Sequence, residues 1–143
     1  MNLMNKIPRE FYKLFASKYM DYYQQFLTAI YEESGRSFSL LGLTEGECRA
    51  VMNERIAETT LDWSEEQWDE EGELLTRSNM ASICLKHLED WGWLKRDYDE
   101  ALNSYVVSFP EYSQQFVELF QRLYSDNRDK ERESVLAVYS YLH

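Results

Sequence analysis

The chain has two histidines, two cysteines, two prolines and five glycines in 143 residues, and each shortage closes off a class of function. His87 and His143 are the whole imidazole supply, with no Gly-rich phosphate loop and no Ser, Cys or Asp in a recognisable nucleophile setting. Nucleophilic and phosphoryl-transfer chemistry need such groups at set spacings, so the sequence reads as non-enzymatic and without a cofactor. Cys48 and Cys84 stand apart, without a C-x-x-C or a histidine cluster. That excludes zinc-finger spacing and a disulfide framework, and both read as small buried residues of a reducing compartment. No run reaches the roughly 18 apolar residues of a membrane helix, and the opening MNLMNKIPRE lacks the apolar stretch of a secretion signal. A cytoplasmic chain is the simplest expectation.

What is present is a folded composition, 44% hydrophobic and 15% aromatic, in a length suited to one domain. Charge is plentiful but one-sided, with a formal total of -11. Residues 1–18 carry four bases and one acid, 19–75 three and fourteen, 76–109 four and five, and 110–143 four and six. So acidic a chain is repelled from bulk nucleic acid unless a local basic patch overrides the field, and 76–109 is not such a patch.

Pro8 stands where a helix can start, and FYKLFA after it predicts a short helical segment near 8–17. Ser17 caps a longer helix, KYMDYYQQFLTAIYEES, which Gly35 ends. Tyr19, Tyr23, Phe26 and Ile30 form one apolar stripe on it, Met20, Leu27 and Tyr31 a second, and Tyr22 stands to one side. A helix at the edge of a monomeric domain needs one apolar face. This one is apolar over most of its circumference, so either it lies central in its own domain or part of it meets a second chain. Thr44 and Glu47 form a T-x-x-E capping box for a helix near 44–58, with Val51, Met52 and Ile56 inward. ETTLDWSEEQWDEEGE then places eight acids and no base between Glu58 and Glu73. Acidic blocks are usually solvated connectors. Trp63 and Trp68 instead predict a partly helical connection packed down by the two indoles.

A third helix, from about Arg77 to Trp91, puts Ala81, Cys84, Leu85, Leu88 and Trp91 on one face; His87 reads as a surface or cap residue, and Gly92 is the stop. WLKRD and SYVVSF alternate as a hairpin around YDEALN. Pro110 ends the pairing and opens a helix of about 111–124, with Phe116, Leu119, Phe120 and Leu123 inward. A last helix from about Arg128 carries Val135, Leu136, Tyr139 and Leu142 and is still periodic at His143, as in the front portion of a longer protein. Three helices and a hairpin are the order of a winged helix-turn-helix. The predicted fold is mainly α with a small β-hairpin: an N-terminal segment 1–17, a winged-helix domain 18–109 with an acidic insertion 58–75, and a helical extension 110–143.

A winged helix that reads DNA needs Arg, Lys, Asn or Gln on the outer face of its third helix and bases at the wing tip. Here the outer face carries Asn79, Ser82, Ile83, Lys86 and Asp90, and the tip carries Asp97, Asp99 and Glu100. Arg77, Lys86, Lys95 and Arg96 remain as candidates for weak DNA contact, and a DNA-binding transcription regulator is the alternative reading. Tyr19, Tyr22, Tyr23, Phe26 and Ile83 are the candidates for a dimer or partner surface.

Three stretches carry a resemblance: KIPREFYKLFASKYMDYYQQFLTAIYEE, RSNMASICLKHLEDWGWL, and the hairpin with VVSFPEYSQQFVELF. Their most specific pieces are I-P-x-x-F at Ile7 to Phe11 and the run from Arg77 through Ala81, Leu85 and Leu88 to Gly92 and Trp93. Together they resemble the N-terminal region of the JetA family, kleisin-like subunits of Wadjet complexes, which are bacterial relatives of condensins. The acidic segment with Trp63 and Trp68 has no counterpart in this resemblance. The resemblance implies a structural subunit of an anti-plasmid defence complex. Its N-terminal winged helix would form a homodimer, and the following helices would meet the neck of an SMC-type ATPase. A small winged-helix partner would bind the full-length chain, and a nuclease would join the assembly.

Overall fold

The computed structural model describes residues 6–36 and 42–124. The helix expected from Arg128, with Val135, Leu136, Tyr139 and Leu142, lies outside them. A 3-10 turn at Arg9–Tyr12 runs into a short helix α1, Lys13–Ala16, and then the long helix α2, Met20–Arg36. Strand β1, Leu43–Thr44, leads into helix α3, Glu45–Glu58. Strands β2, Gln67–Trp68, and β3, Leu74–Leu75, precede helix α4, Met80–Asp90. Strands β4, Lys95–Asp99, and β5, Ser104–Ser108, form the wing, and helix α5 covers 111–124.

Local chemistry sets the ends of these elements. The Ser17 hydroxyl accepts from the Tyr19 amide at 3.0 Å and its carbonyl from the Met20 amide at 3.2 Å, which starts α2. Gly35, expected to end that helix, lies inside it. Among the described glycines only Gly42, Gly72 and Gly92 take positive φ, and Arg36 reaches back to Glu32 and Glu33 at 3.7 Å, holding the last turn helical. The Thr44–Glu47 capping box is complete, with both reciprocal bonds at 3.1 Å. Thr76 and Asn79 repeat that logic ahead of α4: Asn79 Oδ1 accepts from the Thr76 amide at 2.7 Å and Thr76 Oγ1 from the Asn79 amide at 3.3 Å. At the far end Gly92 has φ +83°. The Trp93 amide bonds to the Leu88 carbonyl at 2.9 Å and the Gly92 amide to that of Glu89 at 3.2 Å, a Schellman closure.

In the three-stranded sheet β5 is central, with β1 and β4 antiparallel on its two sides, so that Val107 faces both Leu43 and Arg96. A two-residue strand is too short for alternation to reveal, which is why β1 is absent from the sequence reading. Gly42 makes it possible, because a side chain there would run into the Val107 carbonyl oxygen. Three helices and this small antiparallel sheet make a mainly α, winged-helix-like fold.

Its core joins Tyr23, Phe26, Leu27 and Ile30 of α2, Cys48, Met52 and Ile56 of α3, and Ala81, Cys84, Leu85 and Leu88 of α4. Helix α5 joins it through Ser113, Val117 and Phe120, not through Leu119 and Leu123, which are 40% and 54% exposed. The anchor points explain the rotation. The Ser113 hydroxyl donates to the Trp93 carbonyl at 2.7 Å, Tyr112 donates to that of Gly92 at 2.8 Å, and Phe116 and Phe120 lie against the Trp93 ring.

Candidate functional site

Helix α4 and the wing hold the residues that would meet a nucleic acid. Ser82, Lys86 and Asp90 are exposed on the outer face of α4, and Ile83 is half-buried against the core. Asn79 is occupied in the turn before the helix, where its amide nitrogen also donates to the Leu74 carbonyl at 3.0 Å. Lys95 lies 3.8 Å from Asp97, and Arg96 lies 3.8 Å from Glu45 with its guanidinium 4.2 Å above the Tyr105 ring. Lys86, Lys95 and Arg96 share one depression of about 570 Å³, but Glu89 and Asp90 line it too. Arg77 lies apart from them, over the ring of Trp63 at 6.0 Å. At the tip, Asp99 Oδ1 accepts from the Leu102 amide at 3.1 Å.

The expected partner surface divides. Tyr19, Tyr23 and Phe26 are at most 1% exposed, so the chain's own core already covers them. Burial of such a side chain is worth about 2 kcal/mol, and exposing all three would forfeit a large part of the roughly 5–15 kcal/mol that holds a domain folded. The over-apolar helix is thus central in its own domain, and those three residues are corrected from surface to core. Tyr22 and Ile83 are only partly buried.

The acidic segment departs furthest from expectation. It forms no helix between Thr59 and Thr76; β2 and β3 pair as a small hairpin. Trp63 packs on the core as predicted, whereas Trp68 is 48% exposed, because strand alternation turns it away from the body. Polar groups fix the inner side. Tyr19 donates to Gln67 Oε1 at 3.0 Å, Gln67 Nε2 to the Asp62 carbonyl at 2.9 Å, and the Ser17 and Tyr23 hydroxyls to Glu70. His87, expected at the surface, is buried with Nε2 donating to Asp69 Oδ2 at 2.9 Å, and its ring stacks on Trp91 with centroids 5.0 Å apart. Burial opposes ionisation of Asp69. The hydrogen bonds from His87 and from the Glu73 and Glu71 amides together outweigh it, so the carboxyl sits below its ordinary range. Asp69, Glu71 and His87 also bring three ligand-type atoms within 4.8 Å, but His87 Nε2 is already bonded to Asp69; its Nδ1 is buried without a hydrogen-bond partner.

Glu89 of α4 has a buried Oε2 without a hydrogen-bond partner. Burial first, then the neighbouring carboxyl and charge of Glu45 at the start of α3, push its carboxyl up to about 8 against the pull of Arg96. Sequence reasoning missed His87 and Glu89 as functional groups. A signal for His87 was available: it stands three residues after Cys84 and four before Trp91, inside the buried stripe.

Among curated proteins and among solved structures, nothing matches the chain. A family model, that of the Wadjet protein JetA, matches residues 29–143. That match spans most of the sequence and covers α3, the acidic hairpin, α4 and the wing, so the chain belongs to the JetA family of Wadjet proteins.

Proposed function

We propose that the chain is a non-enzymatic assembly domain of a condensin-like Wadjet complex acting in the cytoplasm against plasmid DNA. In this reading residues 18–109 are a winged-helix module that dimerises a kleisin-like subunit. Helix α5 begins the helical region that meets an SMC-type ATPase, and a small winged-helix partner binds elsewhere on the full-length chain. One observation carries it: the wing keeps its shape while its DNA-facing groups are engaged within the chain. Asn79 bonds Thr76 and Leu74, Arg77 covers Trp63, Lys95 faces Asp97, and Arg96 faces Glu45 and Tyr105. Phosphate binding needs positive groups that displace counterions, and Lys86 has Glu89 and Asp90 beside it. Tyr22 and Ile83 remain candidates for the partner surface. Among the described residues no helix is long and apolar enough to cross a membrane.

The shared depression of Lys86, Lys95 and Arg96 favours a second reading, a DNA-binding regulator. Anisotropy of a labelled duplex separates the two. The assembly reading expects no submicromolar binding at about 50 mM salt, together with co-purification with the ATPase subunit. Submicromolar binding that falls steeply with salt, and is lost when Lys86, Lys95 and Arg96 become Ala, decides for the regulator.

A further inference from the structure

We propose that the outer face of the β2–β3 hairpin is a docking surface for a basic protein segment that carries an apolar side chain among its Lys or Arg residues. The pleat sorts the hairpin cleanly. Gln67 and Leu75 point inward and are buried, while Trp68 and Leu74, directly opposed across the two strands, stand outward at 48% and 43% exposed. The hairpin is not a loose connector, since Asp69, Glu70 and Gln67 pin its inner side to α4, to Ser17 and to α2. Trp68 is oriented as well as exposed, its Nε1 donating to Glu66 at 3.2 Å. An apolar pair held out by a buried polar framework is a surface prepared for a partner, because truncation of a tryptophan is among the costliest changes at interfaces.

Charge identifies the partner's chemistry. Between Arg55 and Arg77 there is no base, and Glu65, Glu66, Glu71 and Glu73 are exposed around the pair. A polyanion is repelled here, whereas a guanidinium meets carboxylates and can lie on the indole face. The chain already makes that contact once nearby, with Arg77 over Trp63. The indole of Trp68 offers the same face to another molecule.

The test is anisotropy of a labelled arginine-rich peptide with a central leucine pair, against the same peptide with glutamates and against labelled duplex DNA. The basic peptide should bind most tightly. Trp68→Ala should weaken it about tenfold, with Leu74→Ala and the reversal Glu66→Lys with Glu73→Lys weakening it in the same direction. Glu54→Lys, an exposed reversal on α3, should change affinity less than about twofold. Unfolding midpoints are recorded for every variant; if Trp68→Ala does not fold, Leu74→Ala carries the test. Undiminished binding by the folded Trp68 or Leu74 variant, equal loss in Glu54→Lys, or tighter binding of DNA or the glutamate peptide would overturn the proposal.

Discussion

Phe11 lies face to face on Trp93, with ring centroids 3.6 Å apart and planes 13° from parallel, and the indole Nε1 donates to the Phe11 carbonyl at 3.0 Å. The opening segment and the turn after α4, 82 residues apart, thereby close one joint. Both rings are buried, so the joint is held by packing as well as by that hydrogen bond. Phe11→Ala should cost about 3–5 kcal/mol, read as a lower urea midpoint with an unchanged slope.

The same joint makes Gly92 sensitive on two counts. Its φ of +83° is strained for any side chain, and a methyl group there would strike the Pro8 ring. Gly92→Ala should cost about 2 kcal/mol, of which roughly 1 is backbone strain. Adding Pro8→Gly removes both the Cγ and the Cβ that the methyl would strike and should recover the steric part, so a double-mutant cycle should show coupling of about 1 kcal/mol. Strict additivity would contradict the contact.

The Asp69–His87 pair predicts how the acidic hairpin is held. His87→Ala leaves a buried carboxylate without its principal partner and should destabilise by about 3 kcal/mol, with amide exchange accelerating first in β2 and β3. The acid side follows from Asp69. Its folded pKa is depressed, so its contribution is present above the unfolded value of about 3.9 and is lost as pH falls below that through the folded pKa. In the wild type the urea midpoint should drop over that range. In Asp69→Asn it should be lower at neutral pH and flatter below pH 4.

Glu89 has the opposite sign. Its folded pKa, about 8, lies above the unfolded value, so the stabilising protonated form is fully present in acid and is lost as pH rises toward and through 8. Glu89→Gln removes the ionisation. It should match the wild type near pH 4 and exceed it at pH 9, as measured by paired urea titrations.

Much of the architecture was legible because it rests on local chemistry. Thr44 and Glu47, Gly92, Pro110 and the stripe Ala81, Cys84, Leu85, Leu88 and Trp91 act where they were read. What escaped depends on partners distant in sequence. Strand β1 exists only because β5 lies beside it, and Leu119 and Leu123 face outward because Trp93 fixes the rotation of α5. His87 is buried because Asp69, 18 residues earlier, reaches it. By charge alone the acidic block reads as a connector; the geometry buries Asp69 against His87 and bonds the exposed Glu70 to Ser17 and Tyr23. The candidate surface was the least legible part, since an apolar helix face is the same sequence pattern whether the chain's own core or a second chain covers it.

The central claim is that this winged helix joins proteins. Its most direct measurement is the mass of the purified chain by light scattering across micromolar concentrations. A homodimer, twice the mass of one chain, is expected to persist on dilution; a strict monomer at every concentration would contradict it.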